Sequence, residues 1–361
     1  MRTLVVSDLH LGARTGVGVL HRAEPLEVLT AALAGVDRLV LLGDTLELRQ
    51  GPASEALKAA RPVLRAIGSA MAGREVVLVP GNHDHGIARR WLEEAPELSL
   101  EERVEPANAS PLAAALAEAL APARAELAYP GVWLRDDVYA THGHYLDVHG
   151  TVPSFERIGA GLMTRLAGAP PQHARPADYE AILAPIYAWI DAAAARAGDG
   201  RRAAGAGRSA EAWGALSGTG RRTLRGRALI AGFPVGIAAI NRAGLGPVQR
   251  DLSGPALRRG LLAGMTTALA RLGVAAPHVI FGHTHRTGML GGDDPAEWRA
   301  GPTQLHNTGS WVHEARFIAG GGPQAPHWPG GAIEVAGDAP PVLRRLLADV
   351  PESALSPRRP G

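Results

Sequence analysis

The sequence predicts an α/β fold built around a parallel sheet. Three short apolar runs, Thr3–Val6, Leu39–Leu42 and Val76–Val79, are each bounded by polar or turn residues, as is typical of strands that are buried on both faces. Amphipathic helical patterns at Ala23–Ala34 and Ala53–Ala72 separate these runs. The resulting order of strand, helix, strand, helix and strand is typical of parallel α/β sheets.

Further elements follow in the same order along the chain. Ser110 is a suitable N-cap for a helix that begins with Pro111. More strands are predicted at Val132–Arg135, Val138–Thr141, His278–Phe281, Gln304–His306, Trp311–Phe317 and Ala332–Val335.

Strand patterns stop between Tyr145 and Ala276, where helical periodicity alternates with Gly-, Pro- and Arg-rich stretches. Tyr179–Arg196 and Pro255–Leu272 are predicted helices, and Gly198–Gly226 is predicted to be a mobile loop. We therefore divide the chain into an α/β core (1–145 and 276–337), a mostly helical insertion (146–275) that we expect to form a cap, and a peripheral tail (338–361).

Composition excludes several classes of function. The 361 residues are 46% hydrophobic, which supports a sizeable core, and the net charge of +2 is too small to indicate a nucleic-acid-binding protein. The absence of cysteine excludes disulfides, thiolate metal sites and a cysteine nucleophile. No signal peptide is evident at Met1–Ser7, and the longest uncharged apolar run, Ala228–Ile240, is shorter than the about 20 residues that a membrane span needs. We expect a cytoplasmic protein; peripheral membrane contact and the oligomeric state are left open.

Polar side chains that suit metal ions follow five of the predicted strands. They are Asp8 and His10; Asp44; Asn82, His83 and Asp84; His142 and His144; and His283 and His285. The carboxyl ends of parallel strands meet at one edge of a sheet, where open α/β folds place their sites. Imidazole, carboxylate and amide oxygen suit divalent Mn, Fe, Zn, Co or Ni, and one carboxylate can bridge two such ions.

The motifs containing these residues resemble the signature of the calcineurin-like metallophosphoesterases. They are Asp8-x-His10, Gly43-Asp44-x-x-Glu47, Gly81-Asn82-His83-Asp84, Thr141-His142-Gly143-His144 and Gly282-His283-Thr284-His285. All five occur in the family's order and span most of the α/β core. The resemblance implies a sandwich of two sheets flanked by helices, here with a mostly helical insertion.

The resemblance also implies a role for each matching residue. Asp44 would bridge two divalent metal ions, with manganese the first expectation, and His83 would be the general acid. Glu47 would orient His83, and Asp84 would support the same loop. The nucleophile would be a hydroxide that bridges the metals. The first ion would be held by Asp8, His10 and His285, and the second by Asn82, His142 and His283.

We expect a hydrolase that cleaves a phosphodiester or pyrophosphate bond in a phosphate-containing small molecule or lipid. A nuclease or a small-molecule phosphatase of the same fold is an alternative, and a non-catalytic metal-binding scaffold is an alternative of another class. The complete ligand set favours an enzyme over a scaffold. A serine/threonine protein phosphatase is disfavoured because Glu47 is followed by Leu48-Arg49-Gln50 and His83 is followed by Asp84.

A closer resemblance is to the UDP-diacylglucosamine hydrolases of lipid A synthesis, which share the form of Ser7–Leu11 and of the Gly-Asp-x-x-Glu motif and carry a helical lid. This chain differs in having His83 where that group commonly has arginine, and in its longer insertion. The resemblance favours a nucleotide-diphosphate lipid as substrate. Ala228–Ile240 would then line an acyl channel, and Arg221, Arg222, Arg225 and Arg227 would clamp the diphosphate. Alternatively, the apolar run packs on the helix at 255–272 and the arginines are solvated. His144 either contacts substrate or packs beside the site.

Overall fold

The computed structural model describes residues 1–95, 97–196, 235–318 and 320–356. The chain divides into two compact units, which we call unit 1 (Met1–Gly143 with Ala275–Gly361) and unit 2 (His144–Val274). The borders of unit 2 lie within two residues of the insertion borders that the sequence indicated.

Unit 1 contains a mixed sheet of twelve strands among its described residues. The order across the sheet is β12-β11-β1-β2-β3-β5-β6-β7-β10-β8, with β4 paired to β5 and β9 paired to β10. The strands are β1 (Arg2–Val6), β2 (Arg38–Leu42), β3 (Glu75–Val79), β4 (Glu101–Val104), β5 (Arg124–Arg135), β6 (Val138–Thr141), β7 (His278–Phe281), β8 (Thr287–Gly288), β9 (Arg299–Ala300), β10 (Thr303–Thr308), β11 (Gly331–Ala336) and β12 (Val342–Arg345).

Two runs of parallel strands carry the loops with the proposed metal ligands. Strands β1, β2, β3 and β5 run parallel to one another, and β6, β7 and β10 form the second parallel run. Strand β5 is twelve residues long and joins the runs, since it pairs with β3 near its start and with β6 near its end. The pairings thus link all twelve strands into one sheet, and the predicted two-sheet sandwich stays a prediction.

Successive residues of the central strands face two different apolar cores. Leu4, Leu39 and Val76 pack in a core shared with the helices, whereas their neighbours pack on the opposite face with side chains from β6, β7 and β11. Burial on both faces explains why β1, β2 and β3 are continuous apolar runs. The main helices of unit 1 are α1 (Ala23–Ala32), α2 (Ala53–Ala70), α3 (Arg89–Glu94), α4 (Pro106–Ala109) and α5 (Pro111–Leu120).

The N-cap prediction at Ser110 is confirmed. The Ser110 hydroxyl accepts a hydrogen bond of 3.0 Å from the backbone N–H of Ala113, and α5 begins at Pro111. This bond satisfies one of the free N–H groups of the first helical turn.

Two expectations about the C-terminal part of the chain need correction. The predicted strand at Trp311–Phe317 is reduced to an isolated bridge at Val312, and residues Ala315–Ile318 form a short helix. A short apolar run does not by itself distinguish a strand from other buried segments, and Trp311 is fully buried here.

The expected peripheral tail (338–361) instead extends the sheet. Strand β12 pairs with β11, and Leu347 is fully buried, with its carbonyl accepting a hydrogen bond of 2.8 Å from the indole N–H of Trp328. Polar and proline residues concealed this burial in the sequence. Residues 357–361 lie outside the described residues.

The regular secondary structure in the described part of unit 2 is helical. Unit 2 contains α6 (Phe155–Ala167), α7 (Pro176–Arg196), the helix Gly254–Leu272 and a helical segment at 235–242. Its own apolar core includes Tyr145 and Tyr179, whose rings stack with centroids 4.6 Å apart. The predicted loop Gly198–Gly226 lies outside the described residues. Among the helices that the structure describes, none combines the length and hydropathy needed to cross a bilayer.

Candidate metal centre

The loops that follow β1, β2 and β7 hold their polar residues in an unusual backbone conformation. Within the described residues, the non-glycine residues with positive φ are Asp8 (55°), His10 (46°), Asp44 (52°), His283 (65°) and His285 (55°). This region is sparsely populated by residues with a Cβ and carries strain, which concentrates at functional sites. All five are metal ligands in the sequence-based prediction.

Asp8, His10 and His285 form the first cluster of ligand atoms. Nε2 of His10 lies 3.0 Å from Nε2 of His285, and Oδ1 of Asp8 lies 3.3 Å from the latter. Oδ1 of Asp8 is buried and makes no hydrogen bond of acceptable geometry within the described part of the chain. A buried carboxylate oxygen that faces two imidazole nitrogens is a suitable donor set for a divalent cation.

His142, His283, Asp44 and Asn82 form the second cluster. Nδ1 of His142 lies 3.0 Å from the carbonyl oxygen of Leu42 and donates to it, so Nε2 carries the lone pair whenever the ring is neutral. That Nε2 lies 3.3 Å from Oδ2 of Asp44 and 3.1 Å from Oδ1 of Asn82. Nδ1 of His283 lies 3.0 Å from the same amide oxygen.

The orientation of the Asn82 amide bears directly on this cluster. If the amide were turned, its nitrogen could donate to Asp44, His142 and His283. With its oxygen inward, the Asn82 oxygen, Oδ2 of Asp44 and the ring nitrogens of His142 and His283 converge, an arrangement that a bound metal ion would satisfy. The donor set therefore fits a second divalent ion with the amide as it stands.

Asp44 lies between the two clusters. Its Oδ2 is 3.3 Å from Nε2 of His142 and 3.8 Å from Nε2 of His10. One carboxylate oxygen of Asp44 thus lies within 4 Å of a ring nitrogen of each cluster.

The electrostatics of the buried clusters also favour cations. Burial raises the pKa of Asp44, but His142 and His83 outweigh burial and bring it well below its usual value. Burial lowers the pKa of His142, yet Asp44 and Asp8 raise it to about 10; the pKa of His10 is likewise raised to about 9, chiefly by Glu47, against the effect of burial. The acidic groups thus favour positive charge at this site. Either protons on the imidazoles or bound metal ions can supply that charge.

Glu47 contacts two of the histidines. Its Oε2 lies 3.0 Å from Nδ1 of His83 and 3.3 Å from Nδ1 of His10. The sequence predicted the contact with His83 but not the contact with His10. Since one carboxylate faces both Nδ1 atoms, it directs both Nε2 atoms away from itself.

Arg49 is a site residue that the sequence-based prediction missed. Its Nη2 donates a hydrogen bond of 2.8 Å to the carbonyl oxygen of Asn82, and its Nη1 lies 3.4 Å from Nε2 of His83. Burial and then Arg49 lower the pKa of His83, while Glu47 opposes them. The only signal for Arg49 in the sequence was its position in the loop that follows β2.

Asp84 supports the loops rather than the ligand clusters. Its carboxylate accepts hydrogen bonds from the backbone N–H groups of Gly81 (2.7 Å), Thr45 (2.8 Å), Asp44 (3.2 Å) and Leu46 (3.2 Å). Burial raises its pKa to about 6, although these backbone donors oppose the shift. Asp84 therefore ties the loop after β2 to the loop after β3.

The predicted substrate contacts have a different outcome. His144 belongs to unit 2, where it is buried with its ring edge-on to Tyr145 (4.8 Å between centroids) and Tyr187 (5.8 Å). Arg221, Arg222, Arg225 and Arg227 lie outside the described residues. The substrate role of His144 and of these arginines stays a prediction.

Comparison with known proteins agrees with this geometry. The model of the calcineurin-like phosphoesterase family matches residues 1–169, which include Asp8, His10, Asp44, Asn82 and His142. The match supports the superfamily that the motifs indicated and, with the ligand clusters, metal-dependent hydrolysis of phosphoesters. No curated protein matches the chain at a significant level.

Proposed function

We propose that this protein is a dinuclear metal-dependent hydrolase of phosphodiester or pyrophosphate bonds. The observation that supports this most strongly is the position of Asp44 between two clusters of neutral and acidic ligands. Asp8, His10 and His285 would hold one ion, and Asn82, His142 and His283 would hold the other. When bound, two divalent cations would acidify the attacking water and withdraw charge from the phosphoryl oxygens.

The residues around the clusters would position and protonate the substrate. Glu47 holds the Nδ1 side of His83, so Nε2 of His83, which lies 3.4 Å from Nη1 of Arg49, would be the atom that exchanges a proton with the leaving oxygen. The lowered pKa of His83 favours a neutral ring before substrate binds. The negative charge of a bound phosphate would raise this pKa, and His83 would then carry the proton that the leaving oxygen needs.

The proposal is tested by metal content and turnover of the same preparations. We expect the manganese-loaded protein to contain two metal ions per chain and to hydrolyse bis(p-nitrophenyl) phosphate, and chelation to abolish turnover reversibly. Asp136→Ala provides a control, because Asp136 is an exposed aspartate in the turn between β5 and β6. Two bound metals without turnover of any phosphate ester would instead favour the non-catalytic scaffold.

We infer that the substrate is a nucleotide-diphosphate lipid and that the metal is manganese. The support is the resemblance of Ser7–Leu11 and of the Gly-Asp-x-x-Glu motif to the UDP-diacylglucosamine hydrolases. A panel of phosphomonoester, cyclic-nucleotide, DNA and nucleotide-diphosphate-lipid substrates tests it. A preference for DNA or for a phosphomonoester would replace this inference with the nuclease or the small-molecule phosphatase.

A further inference from the structure

A cavity of about 360 Å³ lies beside the proposed metal centre within unit 1. Two residues of the centre, His10 and Glu47, form part of its wall. The remainder of the wall comes from the loop after β1, from Gly51 and Pro52, and from the part of α2 between Glu55 and Val63. We call this cavity the loop pocket. The proposed function does not use it.

The loop lies close against the helix at the pocket. A Cβ on Gly12 would approach the Cα of Ala56 to 2.6 Å, and Gly12 has a φ of +87°. Glycine therefore permits a contact here that other residues would prevent. The helix contributes the apolar side chains of Ala56, Ala59 and Val63 to the wall, together with the carboxylate of Glu55.

The charged side chains of the pocket have partners, and Glu47 faces His10 and His83. Arg14 pairs with Glu55 at 2.5 Å, and the backbone N–H of Arg14 donates a hydrogen bond of 2.8 Å to Gln50. Burial and then Arg22 lower the pKa of His21, which keeps that ring neutral near pH 7. A pocket of paired charge and apolar wall suits an uncharged group better than a second phosphate.

We propose that the loop pocket holds an uncharged, ring-sized organic group carried by the substrate's phosphorus. The proposal rests on the proposed function, since the ligands of the metal centre would hold the phosphorus beside the wall formed by His10 and Glu47. The volume is at the lower end of the roughly 300–1,000 Å³ typical of ligand pockets. It is therefore large enough for a ring-sized group.

The test compares two phosphonates that bind through the same anionic head and differ only in their organic group. Calorimetry on the manganese-loaded protein gives the dissociation constants of phenylphosphonate and methylphosphonate. We expect the phenyl compound to bind the unmodified protein about 10- to 100-fold more tightly, as expected for burial of an aromatic ring. Equal affinities would overturn the loop pocket as a site for such a group.

Substitutions at α2 then localise the preference. Ala59 is an exposed helical residue at the pocket, and Lys58 is its exposed neighbour outside the pocket wall. We expect Ala59→Leu to reduce the phenyl preference and Ala59→Trp to abolish it, whereas Lys58→Trp retains it. A preference that persists in Ala59→Trp, with the fold intact by circular dichroism, would overturn the proposal. Failure of both phosphonates to bind protein that carries two metals would contradict the proposed function as well.

Discussion

Nε2 of His10 and Nε2 of His285 lie 3.0 Å apart although 275 residues separate them in the chain. Nδ1 of His10 faces the Glu47 carboxylate at 3.3 Å, which favours a proton on Nδ1 and a lone pair on Nε2. Two nitrogens that share one ion at about 2.0–2.1 Å each are roughly 3 Å apart when they subtend a right angle. The distance of 3.0 Å between the two nitrogens therefore matches the spacing of two ligands of one metal ion.

Asp44→Ala should lower metal binding at both sites and abolish turnover, because Asp44 lies between the two clusters. Elemental analysis of the variant and of Asp136→Ala, prepared in parallel, measures this. Two metals per chain in Asp44→Ala would disprove the bridging role. Loss of one metal only would indicate that Asp44 belongs to a single cluster.

His83→Asn should retain both metals and lower turnover by about 10²- to 10⁴-fold, the usual contribution of a general acid. The reduction should be smaller for esters of p-nitrophenol, whose leaving oxygen needs little protonation, than for esters of simple alcohols. Steady-state kinetics on both ester types measures the difference. An equal reduction on both types would contradict the acid role, and a loss of metal would make His83 a ligand.

Glu47→Gln tests whether Glu47 acts by positioning His83 and His10. The amide keeps the shape of the side chain but removes the charge that faces both Nδ1 atoms. We expect the variant to fold normally and to turn over its substrate more slowly. Its pH–rate profile should also shift, because the Glu47 carboxylate raises the pKa of both rings. An unchanged profile would limit Glu47 to a structural role.

Gly43→Ala should destabilise unit 1 more than Gly73→Ala. Both glycines have positive φ, 85° and 69° respectively, so each substitution carries the backbone penalty of about 1–2 kcal/mol. A Cβ at Gly43 would also overlap the ring of His142, whereas a Cβ at Gly73 meets nothing within 4 Å. Urea unfolding of both variants measures the difference, and equal losses would show that His142 moves aside without cost.

Unit 2 should lose local stability as the pH falls from about 6.5 towards 4. Burial, Arg271 and Arg157 lower the pKa of His149 to about 4, and its neutral ring shares a hydrogen bond of 2.8 Å with the Tyr179 hydroxyl. The unfolded chain has an ordinary His pKa near about 6.5 and binds the proton first, so the stabilisation is present above this value and declines below it.

Amide hydrogen exchange of α7 at pH 7.5 and pH 5.5, corrected for the intrinsic rates, measures this loss. His149→Gln retains an acceptor near the Tyr179 hydroxyl but does not titrate, so its exchange should change less between the two pH values. The same change in both proteins would exclude His149 as the cause.

The position of the insertion in the sequence leads to a further prediction. The chain leaves unit 1 directly after the His142 motif and returns shortly before His283. If the insertion selects the substrate, replacing Leu146–Val274 with a Gly/Ser linker should retain metal binding and slow cleavage of bis(p-nitrophenyl) phosphate. Activity on UDP-diacylglucosamine should be lost. Unchanged selectivity would leave unit 2 with a structural role.

The sequence by itself determined the elements that carry the proposed ligands and the residue types at their ends. Strands β1, β2, β3 and β7 differ from their predicted bounds by at most one residue. They were predictable because burial on both faces requires a continuous apolar run. The Asp, Asn and His residues that follow these strands could be recognised as motifs because each motif is a short stretch of neighbouring residues, in most cases next to a glycine.

Only the tertiary structure decided how these residues meet. Three features depend on partners that are distant in the sequence: the pairing through the long strand β5, the bridge between Gly18 and Val312, and the burial of Leu347. The same holds for three features of the site. Glu47 contacts both His83 and His10, Arg49 approaches His83, and the loop pocket lies beside His10. Periodicity reports which face of an element is buried, whereas the identity of the neighbour on that face follows from packing across the whole chain.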